Sequence, residues 1–318
     1  MNFTIPVGNN PLHIAYNPQY KKMYVVNNGS NDVSVIDQTN DETKIVVGKE
    51  PLYIKYYKNN NNMYVANSGS KNVSVIDSNN DIELRKISVG TRPVHIDTHP
   101  GKDEIYVANF DSENISIIKS VGVTLIDQIT FNPIHISSNL VNGHIYVGTN
   151  HSNKILVANH VTQLVEVGIS PLFITYHPEN GRTYVVNNGS DDISIIGNTN
   201  KINVGNSPVH IAYNPKYKKM YVANSGSNDV SVIDSSKETE LTKIPVGTRP
   251  VHIAYHSENK KMYVVNNGSD NISIINSTND TRIEDVPVGN NPVHIAYHSE
   301  NKKMYVVNNG SNDVSVID

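Results

Sequence analysis

Six histidines share one address in this chain. His13, His95, His135, His210, His252 and His294 each stand two residues after a proline, and Tyr53 and Phe173 occupy two further copies of that place. A neutral imidazole is a common metal ligand and suits Zn, Cu and Ni. If the fold brings the six together, they could form a metal or anion site. His210, His252 and His294 come from an unbroken run of copies and are the candidate metal ligands. Against this, a ligand position would not tolerate Tyr53 or Phe173, whereas a position that fills space would. There is no cysteine, and Asp97 is one of few carboxylates nearby. The expectation is therefore filling or water-bonded histidine with no cofactor, and Zn or Cu at these histidines as the alternative.

What positions these residues is a repeat. The motif Tyr-Val-x-Asn starts at Tyr24, Tyr64, Tyr106, Tyr184, Tyr221, Tyr263 and Tyr305, and a variant, Tyr-Val-Gly-Thr, starts at Tyr146. Successive tyrosines are 40, 42, 40, 38, 37, 42 and 42 residues apart. That period suits a four-stranded propeller blade, for which about 40–50 residues is usual. In one copy, Leu12–Tyr16, Met23–Asn27, Val33–Asp37 and Thr43–Val47 read as four strands, and Asn28-Gly29-Ser30 reads as a hairpin turn with φ > 0. Both faces of the second and third strands are apolar, as blades stacked around an axis require.

Pro6, Pro245 and Pro287 lie in fourth-strand segments. Proline cannot donate to a ladder, so these strands belong at an edge. Inner strands start after Pro11, Pro51, Pro93, Pro133, Pro171, Pro208, Pro250 and Pro292. The fold class predicted is all-β, an eight-bladed propeller over residues 1–318 as one domain, with seven blades as the alternative. The segment Asn2–Val7 matches a fourth strand and should complete the blade that ends at Asp318. On this reading the six histidines, Tyr53 and Phe173 form a ring where the central channel opens.

The strings Tyr24-Val25-Val26-Asn27, Asn28-Gly29-Ser30 and Val33-Ser34-Val35-Ile36-Asp37, with Val7-Gly8 and Pro11 ahead of them, resemble the YVTN-family β-propeller repeat. The likeness covers essentially the whole chain and is weakest in the fourth copy, about Pro133–Asn159. It implies a propeller. For function it implies two classes, surface-layer or cell-surface proteins and lactonase-like or lyase enzymes. The family pattern puts a small residue two places after the proline, where this chain has its ring of His, Tyr and Phe.

Composition excludes several roles. The formal net charge is -4, so no global field draws nucleic acid or an anionic membrane. No apolar run approaches the ~20 residues of a membrane span, and the first residues do not read as a signal peptide. Paired lysines such as Lys21-Lys22 and Lys302-Lys303 recur among acidic stretches and read as a solvated rim of mixed sign. Asp32, Asn72, Asn114, Asp192, Asp229, Asn271 and Asp313 precede third strands. One carboxylate per turn falls short of the ~6–8 oxygens that calcium takes, so turn-stabilising bonds to backbone are expected.

Near-identity of the copies argues against catalysis, because a catalytic site needs unlike residues in unlike roles. Twenty residues from Pro250 recur unchanged from Pro292. The first expectation is a non-enzymatic binding or structural scaffold, a monomeric ring associated with a cell surface and contacting a protein or cell-surface partner through repeated loops. The second is a metal-binding or lyase/lactonase-like enzyme at the channel. The fourth copy would then matter most, because His144, Thr149, His151 and His160 break the symmetry there. The chain would also suit a piece excised from a longer protein.

Overall fold

The computed structural model describes residues 2–99, 101–127, 131–149, 151–158 and 162–318. These form eight four-stranded antiparallel sheets, and no strand pairs outside its own sheet. We number the blades 1 to 8 by their inner strands, which start at Pro11, Pro51, Pro93, Pro133, Pro171, Pro208, Pro250 and Pro292. The seven-bladed alternative is thereby excluded.

Blade 1 runs Pro11–Asn17, Lys22–Asn27, Asp32–Ile36 and Glu42–Val46 from axis to rim, each within a residue or two of the sequence expectation. Blade 8 closes as expected. Phe3–Pro6 pairs antiparallel with Asp313–Ile317, so the first segment of the chain is the outer strand of the last blade. Pro6, Pro245 and Pro287 all end outer strands, where a missing N–H leaves no gap in a ladder.

Both faces of the middle strands are buried because the core lies between blades. Along blade 1, Tyr24 and Val26 face blade 2 and pack on Ile54, Met63, Val65 and Ile76. Met23 and Val25 face the other way, onto Tyr305, Val307, Val314 and Val316 of blade 8. Along blade 1 the period of two thus sends a Tyr/Val face forward and a Met/Val face backward.

Two local expectations need correction. The left-handed residue of the second hairpin is Asn31, with φ 59°, rather than Gly29. Glycine serves this region by close approach instead. A Cβ on Gly8 would collide with the side chains of Ser30, Asp32 and Asn27. The Asp and Asn residues before the third strands bond mainly to a side chain. Asn27 Nδ2 donates to Asp32 Oδ1 at 2.6 Å, and the same link recurs at Asn67, Asn109, Asn187, Asn224, Asn266 and Asn308. The mixed-sign rim is present: Lys21 pairs with Glu300 and Lys219 with Asp280, each across a blade boundary.

Candidate functional site

Every inner strand carries a bulge at its start. In blade 1, Pro11 pairs with Asn27 and His13 with Val26, so Leu12 is the extra residue, and the same shift precedes the ring residue in all eight blades. A bulge re-aims the side chain that follows it. Here it turns one ring per blade into the channel.

The eight side chains close a circle. Ring centroids of His13, Tyr53, His95, His135, Phe173, His210, His252 and His294 lie 3.9–4.3 Å from both neighbours all the way round. Neighbouring planes differ by 34–53°, bracketing the 45° that eightfold symmetry imposes. The rings therefore stand like fins whose planes contain the channel axis, each stacked on the next. An octagon with sides near 4 Å has corners about 5 Å from its centre, whereas a metal–imidazole bond is about 2.1 Å. No ion on the axis could bond the whole ring. Among the described residues, no three His, Asp or Glu side chains are gathered so as to hold a metal.

Burial pushes the ring histidines well below the ordinary imidazole range, helped at His13, His95, His210 and His252 by other imidazoles of the ring. His135 and His294 are lowered to about 3, the first against the pull of Asp97. The direction is common to all six. They are neutral at pH 7.

Two residues further along each inner strand, eightfold symmetry breaks. Blades 6, 7, 8 and 1 carry Ala212, Ala254, Ala296 and Ala15. Blades 2 to 5 carry Lys55, Asp97, Ser137 and Thr175. One step beyond, six blades have tyrosine, while blades 3 and 4 have Thr98 and Ser138. A cavity of about 540 Å³ occupies this arc: the ring forms its floor, and Lys55, Asp97, Ser137 and Thr175 line its wall. The small Thr98 and Ser138 leave it room.

Lys55 Nζ lies 2.9 Å from Asp97 Oδ1, and Ser138 N–H donates to Asp97 Oδ2 at 2.7 Å. Burial alone would raise the Asp97 pKa, but Lys55 and these N–H donors hold it below the usual carboxylate range. Asp97 in turn raises that of Lys55. The pair is ionised at neutral pH.

A second set of histidines, which the sequence reading missed, lies at the far end of the inner strands. His256 Nε2 meets the Lys302 carbonyl oxygen at 2.8 Å, and His298 Nε2 meets that of Lys21 at 3.1 Å, so each ties its blade to the next. Backbone N–H groups of Glu258 and Asn259 point at Nδ1 of His256, so its proton sits on Nε2. In blades 1 and 4 the same position is Asn17 or Asn139, which donates to the carbonyl of Asn61 or Gly181. Only the register of the copies could have shown this shared task.

Of the residues that make the fourth copy stand out in the sequence, His144, Thr149 and His151 do not line the cavity. Thr149 is buried and donates to the Lys154 carbonyl, His151 is exposed with φ 51°, and His144 is half-buried beside Tyr146. His160 lies outside the described residues. The symmetry-breaking residues that line the cavity are Lys55, Asp97, Ser137 and Thr175, with Thr98 and Ser138 one step beyond, and of these the sequence reading noticed Asp97 alone.

The family model described as "Lactonase, 7-bladed beta-propeller" matches residues 144–318, more than half the chain. The chain belongs to the lactonase β-propeller family. As a member of it, this protein has eight blades where the family's description says seven. No curated protein matches the chain by sequence. Among solved structures it is similar to dihydro-heme d1 dehydrogenase in complex with DHE, at 11% identity, covering 95% of this chain and 72% of that one, with a TM-score of 0.78. Virginiamycin B lyase from Staphylococcus aureus is 13% identical over 99% of this chain and 98% of its own, with a TM-score of 0.66. For Kuenenia stuttgartiensis hydrazine synthase the figures are 19%, 85%, 96% and 0.66. At such identities the likeness is one of fold.

Proposed function

We propose that this lactonase-family propeller is a binding module that takes a small polar organic molecule into the channel mouth over blades 2 to 5. One observation carries the reading: the cavity coincides with the arc where the repeat abandons alanine for Lys55, Asp97, Ser137 and Thr175. A half-buried ion pair, two hydroxyls and an aromatic floor are the few convergent polar groups in an apolar setting that ligand sites use. The repeat's resemblance to those of microbial surface proteins supports display at a cell surface, with the surrounding loops as contacts for a protein partner.

The test is to restore symmetry. A variant carrying Lys55→Ala, Asp97→Ala, Ser137→Ala and Thr175→Ala has the alanine that blades 6, 7, 8 and 1 already accept, so it should fold. Binding in a small-molecule panel read by thermal shift and calorimetry should vanish with it. A folded variant that binds every hit as the parent does would refute the site.

Catalysis is the second reading, favoured by the family's name and by the neutral imidazole of His135 in the same cavity as the Asp97 carboxylate. Its expected mark is lactone turnover that His135→Phe abolishes while binding at the arc survives. Absence of turnover across a lactone panel would leave the binding module.

A further inference from the structure

The floor of the cavity has a hydrogen-bonding polarity of its own. Backbone N–H of Ile136 points at Nδ1 of His95 at 3.3 Å, and that of Ile253 at Nδ1 of His210 at 3.4 Å. A nitrogen facing an N–H must act as acceptor, so the proton of each neutral ring sits on Nε2. In His13, His135, His252 and His294, Nδ1 is likewise buried and has no hydrogen-bond partner. Since all six rings line the cavity, Nε2 is the nitrogen left to face it. Among the described residues, none of these six Nε2–H groups meets a protein acceptor.

This tautomer bears on what the ring can hold. A metal needs a lone pair on the nitrogen that faces it. Freeing Nε2 would put the proton on Nδ1, against a backbone N–H at His95 and His210 and in a buried place without an acceptor at the other four. Donors without acceptors call for the reverse partner, an acceptor-only group.

Size narrows the class. The ring centroids lie about 5 Å from the axis and an imidazole nitrogen about 1 Å from its centroid, so inward nitrogens stand roughly 4–5 Å out. In a polyatomic oxyanion, oxygens sit about 1.5 Å from the central atom and accept charge-assisted bonds at roughly 2.8 Å. Donors about 4.3 Å from the centre are what such an anion requires. A single-atom ion on the axis would be too small.

We infer that the histidine ring is a neutral donor cradle for a polyatomic oxyanion, of phosphate, sulfate or carboxylate type, held on the channel axis beneath the polar arc. The inference rests on the reading of this cavity as a ligand site and names the charged end of what enters it. Lys55, on the wall above, adds no net charge because Asp97 neutralises it.

The probes are sodium phosphate and sodium sulfate, read by calorimetry and thermal shift against sodium chloride at matched ionic strength. The expected result is saturable stabilisation by an oxyanion and none by chloride. In the double variant His210→Phe/His252→Phe, where Phe173 shows that the ring accepts phenyl, oxyanion affinity should fall at least about tenfold, the scale of losing hydrogen bonds to a charged group. Histidine ¹⁵N spectra of the unmodified protein should show the Nε2–H tautomer for the ring. An Nδ1–H pattern, or saturable binding of one equivalent of zinc with no response to phosphate or sulfate, would overturn the inference. The arc-restored variant keeps the ring, so it should keep oxyanion binding while losing the organic ligand. Loss of phosphate binding there would put the anion on Lys55 and refute the cradle.

Discussion

Blades 6, 7, 8 and 1 form one half of this ring and blades 2 to 5 the other, and the two halves differ most in one layer. Both halves supply ring residues at the same bulge. Both bury an isoleucine immediately after it, from Ile14 through Ile295, at no more than 2% exposure in any blade. The next residue is alanine four times in the first half and Lys55, Asp97, Ser137 and Thr175 in the second. The isoleucines pack between blades, where any change of volume is felt. In the second half the residues beside them line the cavity, whereas the four alanines of the first half pack against the cores between blades. Asymmetric chemistry has therefore settled in a symmetric scaffold beside the cavity and away from the isoleucine layer.

The strongest way to break this comparison is to attack the half that carries the seam. Deleting residues 1–7 removes the outer strand of blade 8, with buried Ile5 and Val7 and the pairing of Phe3 to Pro6. Burial of each aliphatic side chain stabilises by about 1.5–3 kcal/mol, and the bare edge of Asp313–Ile317 adds to the loss. The truncated chain should melt at least ~10 °C lower by circular dichroism, whereas the arc-restored variant should melt near the parent. Equal melting of truncated and intact protein would mean that the seam is not where the ring is held.

The fold was legible because its cause is repeated. A tyrosine every ~40 residues, edge prolines and an orphan fourth strand at Asn2–Val7 each appear in the sequence as spacing. The ring was legible for the same reason, since a bulky residue recurs two places after each proline. The polar arc was hidden because it is a difference between copies: Lys55, Asp97, Ser137 and Thr175 share nothing except their register with Ala15. The hairpin turn was misjudged because the left-handed place falls to Asn31, one of the non-glycine residues that tolerate it. His144, Thr149 and His151 drew attention as odd residues, but oddness without the register of the inner strand does not reach the cavity.

Acid offers the next largest effect, and it falls on both halves at once. Burial holds the six ring histidines, and His99, His177, His256 and His298, below the ordinary imidazole range. The unfolded chain titrates near 6.5, so below that pH it binds more protons than the folded ring, and stability falls as pH drops. The full contribution is present above pH ~6.5 and is lost progressively toward the folded values, about 3 at His135 and His294. The melting temperature should fall by more than ~10 °C between pH 7 and pH 5. His256→Asn/His298→Asn, which copies Asn17 and Asn139, should flatten that slope and leave pH 7 stability within about 1 kcal/mol. An unchanged slope would place the acid sensitivity in the ring and in His99 and His177.

A smaller effect separates the charged members of the arc from each other. Asp97→Ala leaves Lys55 without its partner and the Ser138 N–H without its acceptor, which should cost about 1–3 kcal/mol in denaturant unfolding. Lys55, about a third exposed, can turn to water, so the loss belongs at the lower end. Lys55→Ala/Asp97→Ala should recover part of it, because the pair would then resemble Ala15 and Ala212. A double variant as weak as the sum of its parts would show that the two side chains do not act as a pair.

The smallest effect on stability sharpens the comparison most. Ser137 lines the cavity and takes the place of an alanine, so Ser137→Ala should change stability by no more than ~0.5 kcal/mol. If the arc binds a polar ligand, the same change should still weaken binding by roughly 0.5–1.5 kcal/mol, the net worth of one hydrogen bond. The reciprocal change, Ala254→Ser on blade 7, adds a hydroxyl at the matching place of the smooth half and should alter neither quantity. A ligand that ignores Ser137→Ala but responds to Ala254→Ser would show that the smooth half is the side it touches. The division of the ring into a bearing half and a binding half would then be reversed.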